Sequence, residues 1–139
     1  MSAVRVRRRI AAILESNALP CTESDAGFSL RFSSAIVHVG LEMLGDQVLV
    51  QLRSDVLRDV SPNATTRVLE ELNSLNCSTL FGKWVYHIAQ HVVALEYDLL
   101  GDHLHENELM TALTMVARLA DRHDDLLQAQ FGGRKAAVD

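Results

Sequence analysis

What the chain lacks narrows its function before any motif is read. Its two cysteines, Cys21 and Cys77, stand 56 positions apart, with no Cys-x-x-Cys and no histidine at ligand spacing from either. A zinc site or redox pair built on them is excluded, and both are expected as plain thiols in a reducing compartment, Cys77 buried. No apolar run approaches the ~18 residues that span a bilayer. The apolar segment 10–14 behind the basic start is cut by Glu15, too short for the core of a secretory signal. A cytoplasmic protein with no membrane partner is the expectation. There is no internal repeat, no low-complexity linker, and no G-x-G-x-x-G, P-loop, G-x-S-x-G or H-E-x-x-H.

Positive charge is also scarce. Thirteen Lys and Arg against 18 Asp and Glu leave a net charge of −5, which argues against nucleic acid as the main partner, because that polymer needs a basic surface to displace its counterions. Arg5, Arg7, Arg8 and Arg9 are the local exception. Two readings stand: a solvated helix start, or a contact with an acidic partner or a second subunit. A helix dipole disfavours cations at that end, so a fraying start is expected.

What is present is enough for one folded domain. With 139 residues and 48% hydrophobic content, the chain can bury about two-thirds of its unfolded surface. Val6, Ile10, Ile13 and Leu14 recur on one helical face, predicting a helix over residues 3–18 before Pro20. Three runs of period-two alternation follow: Phe28/Leu30/Phe32, Ala35/Val37/Val39/Leu41/Met43 and Val48/Val50/Leu52. Two-residue turns at Gly45-Asp46 and Ser33-Ser34 set Met43 opposite Val48, Leu41 opposite Val50, Val39 opposite Leu52 and Phe28, and Leu30 opposite Val37. All the apolar faces then coincide, whereas a one-residue slip would throw them apart.

Ser61 and Pro62 form a helix start, and Ala64, Val68, Leu72 and Leu75 continue its stripe. "FGKWVYHIAQHVVALEYDLL" reads as a second hairpin; a turn at Ala89-Gln90 sets Tyr86 opposite Val93, Trp84 opposite Leu95 and Lys83 opposite Glu96, though a longer turn is compatible. Leu109, Leu113, Val116, Ala120, His123 and Leu127 mark a last helix that ends at Gly132-Gly133. The predicted order is α-β-β-β-α-β-β-α. It describes a two-layer α+β fold, a five-stranded antiparallel sheet with helices on one face, over residues 1–131, followed by a flexible tail at 132–139.

Within residues 72–100, Asn73, Asn76, Phe81, Gly82, Lys83, Trp84, Leu95, Glu96, Asp98 and Leu99 form a pattern: an asparagine-bearing helix end, a Phe-Gly-Lys-aromatic strand, and an "LE-D-L" strand leading into the last helix. This resembles the YbjN-like group of the type III secretion chaperone-like superfamily, the CesT and YbjN peptide-binding chaperones, whose α-β3-α-β2-α topology also matches the order above. The resemblance implies a small, bacterial, dimeric, non-enzymatic protein that needs no cofactor. Its partners would be a second copy of itself and a protein or peptide client.

The residues point to where such a partner could dock. Val92 and Ala94 alternate with Val93, Leu95 and Tyr97, so this strand is apolar on both faces, and Ile36, Leu44 and Leu49 point away from the expected core. An open, partly apolar sheet face suits a client or a dimer contact; isolated apolar residues on exposed strands are the alternative. Trp84 and Tyr86 share a face with Leu95, as core anchors or as interface anchors.

One stretch invites a chemical reading. Between Asp98 and Glu108 lie two histidines and four carboxylates, and Asp102, His103, His105 and Glu106 form a ligand set that zinc, nickel or manganese accepts. A metal-dependent enzyme or a metal or small-ligand sensor is therefore the alternative function. The simpler reading is a helix start, whose free N–H groups attract Asp102, Glu106 and Glu108. A second cluster, Asp121, His123, Asp124 and Asp125, lies ~18 residues or about 27 Å further along the helix, too far for one site within a subunit. His123 falls on the apolar stripe and reads as a hydrogen-bonded core histidine.

Overall fold

In the computed structural model, which describes residues 2–137, α1 (Ala3–Ser16) leads into β1 (Thr22–Ser24), β2 (Gly27–Phe32), β3 (Ala35–Leu44) and β4 (Gln47–Arg58). Then come α2 (Thr65–Ser78), β5 (Lys83–His87), β6 (Val92–Leu100), α3 (Glu106–Phe131) and the two-residue β7 (Arg134–Lys135). Among the described residues seven strands thus replace the expected five, and the order becomes α-β-β-β-β-α-β-β-α-β. All pair antiparallel in one sheet, ordered β1-β2-β3-β4-β6-β5, with β7 beside β4.

Turn chemistry and alternation place the hairpins in the anticipated register. Met43 faces Val48, Leu41 faces Val50, Val39 faces both Leu52 and Phe28, and Leu30 faces Val37. Gly45 has φ 63°, the left-handed value that the first position of a type II′ turn requires. In the second hairpin Trp84 faces Leu95 and Tyr86 faces Val93, but the last pair is His87 with Val92. A 3₁₀ turn (Ile88–Gln90) and His91 at φ 58° close this longer loop. Lys83 does stand opposite Glu96, yet its Nζ reaches Asp98 instead, at 4.0 Å.

The helices cover one face of the sheet. Val6, Ile10, Ile13 and Leu14 of α1, Val68 and Leu72 of α2, and Leu109, Leu113, Val116, Ala120 and Leu127 of α3 pack on Phe28, Leu30, Val37, Val39, Val50, Leu52 and Leu95. α3 lies across β3, β4 and β6, while α2 lies on β5. The first helix does not begin loosely: Ser2 Oγ accepts the Arg5 N–H at 3.2 Å, a side-chain cap. A bulge between Asp55 and Leu57 turns the end of β4 and lets consecutive residues Val56 and Leu57 both be buried.

Past α3 the chain is ordered where a flexible tail is expected. Arg134 and Lys135 pair with Arg58 and Leu57, Ala136 N–H donates to Val56 O at 3.0 Å, and Ala137 is buried. Arg31 clasps this segment by donating to the Ala137 carbonyl at 2.9 Å. The tail's Val138 and Asp139 lie outside the described residues. Cys77, expected inside, is exposed like Cys21, because it stands off the Val68/Leu72 stripe of α2.

Candidate functional site

The sheet has a second face that no helix covers. Register places Ser29, Ile36, His38, Leu49, Gln51, Arg53, Asp55, Ala94, Glu96, Asp98 and Leu100 on it. Its centre is ionic. Arg53 Nε lies 2.7 Å from Asp55 Oδ1 and its Nη1 lies 3.8 Å from Glu96 Oε2, while His87 Nε2 is 2.6 Å from the same Glu96 oxygen. Arg58 completes the network at 3.6 Å from Asp55. Pairs this accessible contribute about 0–1 kcal/mol each, so they shape the surface more than they hold the fold. Two shallow depressions, of about 360 and 310 Å³, lie across this centre and share His38 and Arg53.

One end of the same face is apolar. Leu49 pairs with Leu100 across β4 and β6, and Leu44 sits diagonally on β3, one pair beyond Glu42. Leu44 and Leu100 are each 57% exposed, and Leu49 is half-buried. Three leucines therefore form a row across three strands at the open end of the sheet. Ile36 is half-buried at the opposite end, in the depression closed by Ala136.

The other candidates are not surface groups. Trp84, Tyr86 and Leu95 are on the helix-covered face, at 3%, 8% and 0% exposure. Trp84 meets the His123 ring edge-on at 5.3 Å, and His123 Nδ1 donates to the Leu119 carbonyl at 2.9 Å, so the two pack where β5 meets α3, Trp84 buried and His123 half-buried. Val92 and Ala94 do face the open side, but they are enclosed among Asp55, Val85 and His87 of the flanking strands and are buried. Several exposed apolar residues escaped the pattern reading, among them Leu100, which ends its strand, and Leu80, which sits outside any periodic element in the loop before β5.

The polar stretch after β6 divides between separate duties. Asp102 does not serve the start of α3; one of its oxygens accepts the Val48 N–H at 3.1 Å, fastening the loop to the β3–β4 hairpin. His105 occupies the N-cap position without a side-chain bond, and Glu106 and Glu108 fill the first turn, where the dipole favours them. His103 and His105 are exposed, with buried Leu104 between them. Among the described residues no three His, Cys, Asp or Glu side chains converge to hold a metal, so the metal-enzyme alternative has no support. The second cluster is an anchor: buried Asp124 accepts from Ser34 Oγ at 2.8 Å, Asp121 lies against the same hydroxyl, and the β2–β3 turn is tied to α3. No helix is long and apolar enough to cross a membrane among the described residues.

Three helices on one face of an antiparallel sheet, with the other face open and rimmed by leucines, define a two-layer α+β domain. The chain belongs to the family described as T3SS (YopN, CesT) and YbjN peptide-binding chaperone 1, whose pattern matches residues 2–139. Solved structures share the fold. A chain of the ExsC–ExsE complex matches with a TM-score of 0.67 at 21% identity, covering 91% of this chain and 97% of that one. A chain of the HopA1–SchA chaperone–effector complex matches at 0.63 and 8%, covering 90% and 98%. YbjN from E. coli matches at 0.60 and 10%, covering 86% and 92%. No curated protein matches the chain.

Proposed function

We propose that this chain is a non-enzymatic, chaperone-like or regulatory protein that acts as a cytoplasmic homodimer and binds a segment of a client polypeptide on its open sheet face. The observation that carries this reading is the leucine row, with Leu44 and Leu100 exposed and Leu49 half-buried, in a member of a peptide-binding chaperone family. Apolar client side chains would rest on that row. The ionic centre and Gln51 would meet the polar groups of an extended backbone. Support also comes from the neighbours: the ExsC–ExsE and HopA1–SchA structures are complexes, the second of a chaperone with its effector.

Selection from a displayed random-peptide library tests the reading. Enrichment of apolar peptides over a folded control protein, with binding competed by the free peptide, is the expected result; no enrichment contradicts it. Sedimentation velocity at micromolar concentration tests the homodimer, for which a single species of monomer mass is the contrary outcome.

A further inference from the structure

The four arginines at the start of α1 are divided between the two flanks of the helix. Arg7 turns toward β1, where its Nε donates to Glu23 at 2.9 Å and its terminal nitrogen donates to the Ser24 carbonyl. Arg5, Arg8 and Arg9 stand at i, i+3 and i+4 and so share the other flank. They form one wall of a groove of about 950 Å³, whose opposite wall is the connection from Gly101 to His105. Arg9 bridges the walls through its Nε, which donates to the Leu104 carbonyl at 3.3 Å. Val6 and Leu104 lie at its base.

The fold gains little from this arrangement. Like charges at i, i+3 and i+4 repel one another, and cations near a helix start oppose its dipole. Among the described residues no carboxylate lies within 4 Å of Arg5, Arg8 or Arg9. Asp102, the acid in the wall, has one oxygen engaged by Val48. Three guanidinium groups with no carboxylate partner among the described residues thus stand together in a chain whose net charge is −5.

We propose that this groove binds an acidic stretch of the client polypeptide. The inference rests on the peptide-binding reading and adds the chemistry of a second contact beside the leucine row. Client Asp or Glu carboxylates pair with Arg5 and Arg8, His103 and His105 add ring N–H donors, and an intervening apolar side chain rests toward Val6 and Leu104. A nucleic acid fits less well. The arginine group spans four residue steps, about 6 Å of helix, and the acidic remainder of the surface repels a longer phosphate chain.

Fluorescence anisotropy on the full chain provides the test, using a labelled dodecapeptide alternating Glu with Leu and its Gln-for-Glu counterpart. At 50 mM salt the acidic peptide is expected to bind about tenfold tighter than its amide counterpart, and the preference should shrink at 500 mM. An Arg5→Gln/Arg8→Gln variant should lose the preference while keeping the wild-type melting temperature. Equal affinity for the two peptides, or a preference that survives in the variant, overturns the inference. Displacement of the acidic peptide by a single-stranded oligonucleotide or by millimolar inorganic phosphate reassigns the groove to phosphate and overturns it as well. If library-selected apolar peptides bind and no acidic preference exists, the inference alone falls; if no peptide of any composition binds, the peptide-binding reading falls with it.

Discussion

The side-chain amide of Asn76 pairs with both backbone groups of Trp84: the Trp84 N–H donates to Oδ1 at 2.7 Å, and Nδ2 donates to the Trp84 carbonyl at 3.0 Å. One side chain at the end of α2 thereby imitates a neighbouring strand. It closes the outer edge of β5 where an unpaired strand would otherwise invite another chain. Asn76→Ala leaves both groups unsatisfied in a part-buried setting and is expected to lower stability by about 1–3 kcal/mol. Urea unfolding followed by Trp84 fluorescence measures it, and a change within 0.3 kcal/mol contradicts the edge-closing role.

Gly101 marks where α1 meets the end of β6. A Cβ there would stand 2.9 Å from Val6 Cγ1 and 3.1 Å from the Val48 carbonyl, so Gly101→Ala forces α1 or the start of β4 to shift. A loss of about 1–3 kcal/mol is expected from overpacking at this contact. Thermal unfolding checks it; an unchanged melting temperature would mean that α1 is not fixed at this point.

A stop codon after Phe131 removes β7 and the buried Ala137, exposing the end of β4. Two or more backbone hydrogen bonds and the Arg31 clasp are lost, about 1–3 kcal/mol together. Lys135 Nζ lies 2.7 Å from Asp125, and that hydrogen bond raises its pKa above the usual lysine value. A raised amine favours the folded state below its unfolded pKa and loses that contribution only as pH rises through the folded value. The segment is therefore expected to stay docked from about pH 6 to 9, and hydrogen exchange at Ala136 measures it directly.

Ser54 is fully buried opposite Leu95, and its hydroxyl has no hydrogen-bond partner among the described residues. Ser54→Ala removes a buried polar group without breaking a bond and is expected to be neutral or stabilising by up to about 1 kcal/mol. Guanidinium unfolding tests this, and a clear destabilisation would contradict it.

Legibility in the sequence followed the strength of local signals. The β2–β3–β4 register could be read because long period-two alternation and short turns act together, and α3 because its stripe repeats over many turns. β1 could not, since Thr22–Ser24 is short, polar and exposed. β7 could not either, because two basic residues pair with β4 only where the bulge turns it. Parity put Trp84 and Tyr86 together with Leu95 but carried no information about which face α2 and α3 would cover. The arginines and the His103/His105 stretch each stood out alone, yet they lie ~95 residues apart in sequence and meet only through the docking of α1.

Binding of a library-selected apolar peptide to the wild-type chain and to a Leu44→Asp/Leu100→Asp variant decides whether the leucine row is where a client docks. Both leucines are exposed, so the two changes together should shift stability by no more than about 1 kcal/mol. The variant is expected to keep its fold and to weaken peptide binding at least about tenfold, because each charge must be desolvated beneath an apolar side chain. Equal affinity in the folded variant and the wild type would contradict it.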